Sequence, residues 1–223
     1  MNLGRTRTSL PLQGVLFDLD GTLLDTYELI LVSMRYATKE VLGVELPDAA
    51  LMQKVGQPLE AQMKDYTDDP VLQEKLLTTY RTFNHAKHDE MVSAYSGTRE
   101  TLEALRAAGM KLGIVTSKRH ALAQRGLEVC GIDKYFTLLV GSDDFPEHKP
   151  APGPVRYACE ALGVEPARCL YVGDSPFDMQ AGQGAGCSTV AALWGFFPEK
   201  VLEKENPSYL IRKRSDLISI VNL

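Results

Sequence analysis

Two carboxylates two residues apart, Asp18 and Asp20, follow the short apolar run Gly14-Val15-Leu16-Phe17 and precede Gly21 and Thr22. Acids placed this way can divide a reaction between them. Asp18 can attack phosphorus and become an acyl phosphate, while Asp20 protonates the departing oxygen and then takes a proton from the attacking water. Gly21 permits a sharp backbone turn, and Thr22 can hydrogen-bond back to hold it. The same Asp-x-Asp-Gly could open a calcium loop. Such a loop asks for Asp or Asn where Thr22 stands and a closing Glu where Leu29 stands.

Three further stretches carry reactive groups. Thr116-Ser117-Lys118 follows the apolar Ile114-Val115; the Thr116 hydroxyl and the N–H groups at the start of the next segment can bind a phosphate oxygen, the plainer reading being a helix cap. His148-Lys149-Pro150 holds a lysine at a proline-stiffened approach to a helix, where it can neutralise a phosphate and a carboxylate nucleophile; alone, a lysine is usually solvated surface. Gly173-Asp174-Ser175-Pro176-Phe177-Asp178 adds two carboxylates. Asp18 and Asp174, with the main-chain carbonyl of Asp20, offer the hard oxygens that Mg²⁺ prefers, and Asp178 suits a water ligand or an orienting role.

These groups need strand ends to present them. Gly14–Phe17, Lys111–Val115, Phe136–Val140, Cys169–Val172, Ser188–Ala192 and a short Tyr209–Ile211 read as strands. Helices are expected over Thr98–Ala108, with Ser96 as N-cap and Gly109 closing it, over Ala121–Cys130, over Pro154–Leu162 and from Phe177. This alternation implies an α/β fold, a parallel sheet with helices on both faces, in which reacting groups collect beyond the carboxyl ends of the strands. Residues 26–92 differ. Leu29, Val32, Met34 and Tyr36 recur at helical spacing, then Leu51, Met52, Val55 and Leu59, then Val71 to Phe83. The block reads as a helical insertion with a turn at Gly56-Gln57-Pro58 that could dip toward the site. Residues 1–10 are polar and basic and read as a loose extension. The glycine-rich Ala181–Gly186 precedes a strand instead of following one, so it is a helix end, and Trp194-Gly195-Phe196-Phe197 is expected to pack on the core.

Together the four motifs resemble the haloacid dehalogenase superfamily, from residue 14 to about residue 212. The resemblance implies a Rossmann-like core (residues 11–25 and 93–223) with a small helical C1-type cap (residues 26–92). It makes Asp18 the nucleophile, Asp20 the general acid/base, and Thr116 and Lys149 the phosphate binders, joined by Ser117 and Gly21. It also implies Mg²⁺ held by Asp18, Asp20 and Asp174 with Asp178 in support. Asp20 argues against the dehalogenases, since a departing halide needs no proton. Thr22 favours a phosphatase over β-phosphoglucomutase-like phosphosugar mutases, which stay open as an alternative beside a regulator that merely binds a phosphorylated ligand. The cap, and the stretch Tyr80 to Val92 in particular, look like the phosphoglycolate phosphatase and pyrophosphatase branch. Within the cap, Gln57 and the helically spaced Arg81, His85 and His88 are candidates for substrate choice. Hinges are expected near Leu24–Tyr27 and Ser93–Gly97.

Composition agrees with such an enzyme. The chain has 223 residues, 44% hydrophobic, with 24 basic against 29 acidic side chains and a net charge of −5. That is globular and mildly acidic, with no electrostatic case for nucleic acid or an anionic membrane. Asp18 and Asp20 interrupt the apolar run behind Arg5 and Arg7, which argues against a signal peptide. The cysteines Cys130, Cys159, Cys169 and Cys187 show no paired metal spacing, so a cytoplasmic protein with reduced thiols is expected, its partner a small phosphorylated metabolite or pyrophosphate.

Overall fold

The computed structural model describes residues 11–222; the expected extension over residues 1–10 lies outside them. The chain opens with β1 (Gly14–Phe17) and a two-residue strand β2 (Leu24–Asp25). Four helices follow: α1 (Tyr27–Leu42), α2 (Asp48–Leu51), α3 (Leu59–Met63) and α4 (Pro70–Met91). After β3 (Ser93–Ala94) come α5 (Thr98–Ala107), β4 (Lys111–Val115), α6 (His120–Val129), β5 (Leu138–Val140), α7 (Gly153–Leu162), β6 (Cys169–Gly173), α8 (Pro176–Ala185), β7 (Ser188–Ala192), α9 (Glu199–Glu203), β8 (Tyr209–Ile211) and α10 (Asp216–Val221).

Six strands form one sheet in the order β5-β4-β1-β6-β7-β8, every neighbouring pair parallel. The strand residues are nearly all buried, as runs of Val, Ile and Leu covered on both faces must be. Side chains alternate between two cores. Val15, Phe17, Ile114 and Val172 pack with Leu102 and Leu105 of α5, Leu127 of α6 and Leu217 of α10. Leu16, Val115 and Tyr171 pack on the other face with Val155 and Leu162 of α7 and Ala181 of α8. The sheet is thus the expected α/β layer structure. The order in which strands are added changes sense at β1, which lies between β4 and β6, so a crevice opens beyond the C-terminal ends of these three strands.

The helical block has a core of its own, built from Ile30, Met34, Leu51, Met63, Leu76 and Tyr80. Its details correct the sequence reading. The apolar residues 51–59 do not make one helix: Gly56, at φ +102°, and Pro58 part α2 from α3. The third segment extends beyond Phe83 to Met91, capped at its start by the Asp69 side chain accepting from Val71 N. β2 and β3 pair antiparallel where the chain leaves and rejoins the sheet, a ribbon too short for any periodicity to reveal. The N-cap of α5 is Gly97, with φ +82°, and not Ser96. β5 begins at Leu138, two residues later than expected, while Phe136 turns its ring edge-on to Phe17.

Candidate active site

Asp18 follows β1 directly, and its N–H donates to the Val172 carbonyl of β6 at 2.8 Å. This ties the first motif to the strand that carries Asp174. Asp174 is buried and fully engaged: Oδ1 accepts from Thr22 Oγ1 at 3.0 Å and Oδ2 from Phe196 N at 2.7 Å. The Thr22 hydroxyl therefore spans to the fourth motif, while its main-chain N–H bonds back within the turn to the Leu19 carbonyl at 3.3 Å. Gly21 sits at φ +81°, and a Cβ there would stand 2.4 Å from Asp174 Oδ2. The turn thus needs glycine twice over, for its backbone and for the carboxylate against it. Gly21→Ala is expected to displace Asp174 and lower stability by about 1–3 kcal/mol. Denaturant unfolding of the purified variant checks this, and unchanged stability would argue against the packing described.

Lys149 reaches the site from the approach to α7. Its Nζ lies 2.8 Å from Asp18 Oδ1 and 2.6 Å from Asp178 Oδ1. Asp178 is the N3 residue of a capping box at the start of α8: its Oδ2 accepts from Ser175 N at 3.0 Å and Ser175 Oγ at 2.5 Å. The Tyr171 hydroxyl stands 3.1 Å from Asp178 Oδ1 and 3.0 Å from the Val115 carbonyl. With both oxygens engaged, Asp178 is placed to hold Lys149 more than to face a ligand. Asp18 Oδ1, by contrast, is off the direction of a hydrogen bond to Lys149 and has no other partner.

Three buried carboxylates, those of Asp18, Asp174 and Asp178, lie within 4.8 Å of one another. Burial pushes Asp18 up to about 7, against the pull of Lys149. Burial, with Asp178 and Asp18 adding to it, raises Asp174 well above the carboxylate range. Burial opposes the charge of Lys149, yet Asp178 and Asp18 outweigh it and hold the ammonium protonated. One lysine among three carboxylates leaves the cluster short of positive charge. Hard oxygen donors, one of them accepting no hydrogen bond, fit a divalent ion such as Mg²⁺.

Beyond this cluster a cavity of about 310 Å³ separates the strand ends from the helical insertion. Asp18, Asp20, Thr116, Ser117 and Asp174 line it from the sheet side; Gln57, Arg81 and His85 line it from the insertion. Asp20 pairs with Lys118, whose Nζ lies 2.8 and 3.1 Å from its two oxygens. Thr116 Oγ1 accepts from Lys118 N at 3.2 Å. The Ser117 hydroxyl donates at 2.6 Å to the carbonyl of Gly56, in the turn that does dip to the sheet, which leaves its main-chain N–H as the group it can offer a phosphate. His88 is corrected outright: it is fully buried near Gly126 of α6, its Nδ1 on Asp89 at 2.9 Å, and it does not line the cavity. Sequence reasoning missed Lys118, Tyr171 and the Phe196 amide. Lys118 carried the clearest signal, being the last residue of a motif already singled out.

A parallel sheet that gathers acids, a lysine and a hydroxyl at three adjacent strand ends, under a helical cover, defines an α/β enzyme built to handle an anionic group. The family model for haloacid dehalogenase-like hydrolases matches residues 15–192. The chain belongs to that family. Its relatives include pyrophosphatase PpaX of Bacillus pumilus, 37% identical over 211 residues, 93% of this chain and 95% of that one. Pyrophosphatase PpaX of Bacillus velezensis is 36% identical over 94% of this chain and 96% of its own. Among solved structures, one described as a predicted phosphoglycolate phosphatase from Haemophilus somnus 129PT superposes with a TM-score of 0.88 at 26% identity, over 95% of this chain and 99% of that one. A haloacid dehalogenase-like family hydrolase from Streptococcus pneumoniae gives 0.84 at 27% identity, over 94% and 98%.

Proposed function

We propose that the protein is a Mg²⁺-dependent phosphatase that hydrolyses a small phosphorylated metabolite or pyrophosphate through an aspartyl phosphate on Asp18. The observation that carries this reading is Asp18 itself: a buried carboxylate at a cavity wall, with an oxygen lacking a hydrogen-bond partner and Lys149 Nζ 2.8 Å away. Asp18 attacks phosphorus. Lys149, held from behind by Asp178, offsets the charge of nucleophile and phosphoryl group. Thr116 and the amide of Ser117 take phosphoryl oxygens, while the N–H of Gly21, expected to join them, donates instead to the Leu24 carbonyl at 2.8 Å. Asp20, in the cavity, protonates the leaving oxygen and then draws the proton from the water that opens the acyl phosphate. Asp18, Asp174 and the Asp20 carbonyl would hold Mg²⁺, with Asp178 in support, and the bound ion would neutralise charge on the transferred group.

In this reading residues 26–92 act as a cap over a core of residues 11–25 and 93–223, hinged at the β2–β3 ribbon. The relatives' names supply pyrophosphate and phosphoglycolate as first substrates to try. Among the described residues no helix is long and apolar enough to cross a membrane, and the four free cysteines fit a reducing cytoplasm. Kinetics with pyrophosphate, phosphoglycolate and a hexose 1-phosphate side by side, with and without Mg²⁺, tests the reading. Phosphate release that ignores chelation of Mg²⁺ would count against it, and transfer to a second position of the hexose would favour the mutase alternative. A finer result concerns Asp20. Orthophosphate leaving from pyrophosphate is a weaker base than an alkoxide and needs a proton less. Asp20→Asn should therefore slow phosphoglycolate hydrolysis by roughly 10²–10⁴-fold and pyrophosphate hydrolysis by less; equal losses would contradict the assignment.

A further inference from the structure

Beside polar groups such as Gln57, Gln62 and Asn84, a large share of the cavity lining is hydrocarbon. Ile30 and Met34 of α1, Val55, Leu59 of α3, and Phe196 and Phe197 beyond β7 all face the cavity. Four basic side chains also line it among the described residues: Arg81, His85, Lys118 and Arg119. The three that carry fixed charge are each already paired with a carboxylate that also lines the cavity. Arg81 is bound to Glu60, Lys118 to Asp20 at 2.8 Å, and Arg119 to Asp143 at 3.2 Å. Burial lowers the pKa of His85, favouring the neutral ring. A second phosphate on the substrate would meet apolar carbon and cations whose charge is locally balanced, with Glu60 and Asp143 beside them.

Resting on the phosphatase reading above, we infer that the leaving-group end of the site takes phosphomonoesters whose alcohol carries an apolar hydrocarbon face, in preference to a second phosphate. The ester's P–O bond breaks as the Asp18 oxygen bonds to phosphorus, and Asp20 gives its proton to the departing alkoxide. Water then cleaves the acyl phosphate, and the balance is ester plus water to alcohol plus orthophosphate. The alcohol's carbon chain lies against Ile30, Met34 and Leu59, where its removal from water favours binding in proportion to the apolar area covered. A cavity of about 310 Å³ leaves room for such a chain beside the phosphoryl group.

Alkyl phosphates of different length separate this effect from leaving-group chemistry, because their alkoxides have similar basicity. With the Mg²⁺-loaded full chain, kcat/KM for n-hexyl phosphate should exceed that for ethyl phosphate at least tenfold, chiefly through KM. Leu59→Gln, at a partly exposed wall position, should bring the ratio toward one. Calorimetric binding of n-hexylphosphonate against ethylphosphonate should show the same preference without any turnover. Equal affinity for the two phosphonates, within twofold, would overturn the inference whether or not the enzyme hydrolyses anything. Absence of phosphate release from every substrate would instead strike the phosphatase reading, leaving the phosphonate comparison to judge the wall.

Discussion

Asp18→Asn gives a folded protein whose phosphate release falls by on the order of 10⁴-fold or more. An amide occupies the same volume but cannot donate the electron pair that makes an acyl phosphate, so the loss falls on kcat. The fold survives because Lys149 keeps its other partner: Asp178 Oδ1 is 2.6 Å from Nζ and is itself fixed by Ser175. Burial already pushes the Asp18 carboxyl up to about 7, so replacing it with a neutral group removes a charge that the folded state holds at a disadvantage. The metal-free variant should accordingly melt at or above the temperature of the parent at pH 8. Phosphate assay and thermal unfolding on one preparation check both halves. Activity within tenfold of the parent would remove Asp18 from the nucleophile's role, and a collapse of the melting temperature would show the carboxylate to be structural.

The residues that were legible in the sequence share a physical reason. Asp18, Thr116 and Asp174 each follow a run of apolar residues that only a strand buried on both faces requires, so their position at the strand end follows from the fold class. Lys149 was legible as chemistry but not as geometry: nothing in its own stretch shows that Asp178, 29 residues on, would bind it. The candidates in the insertion fared worse. Arg81, His85 and His88 share a helix face, yet His88 lies about 10 Å further along α4 than Arg81 at 1.5 Å per residue. That distance carries it past the cavity and against α6. Angular spacing says which face a side chain takes; it does not say where along a 22-residue helix the neighbour ends. The contact of the Ser117 hydroxyl was illegible for a similar reason, because its partner is a main-chain carbonyl 61 residues away, and main-chain acceptors leave no mark in a sequence.

Replacing Lys149 tests the opposite side of the same charge balance. In Lys149→Met the stem is kept and the ammonium lost, leaving Asp18, Asp174 and Asp178 buried together with no cation. Breaking a buried pair by removing one partner costs about 3–5 kcal/mol, and denaturant unfolding of the metal-free variant at pH 8 should show a loss of that size beside a near-complete loss of turnover. The pH dependence identifies the cause. Burial lifts Asp18 from the ordinary 3.8 of an aspartate to about 7 in the folded protein, and raises Asp174 as well. The folded state therefore binds more protons than the unfolded one between these values, and stability rises as pH falls through 7 toward 4. Lys149 is what lowers Asp18 in the parent, so without it the carboxylates take up protons at still higher pH and the penalty at pH 8 grows. The deficit of the variant should hence shrink as pH is lowered from 8 to 5.5, and added Mg²⁺ should shrink it at pH 8 by restoring positive charge among the same oxygens. A deficit that stays constant across this range, and is indifferent to Mg²⁺, would mean that lost packing and not unbalanced charge is what the lysine prevents.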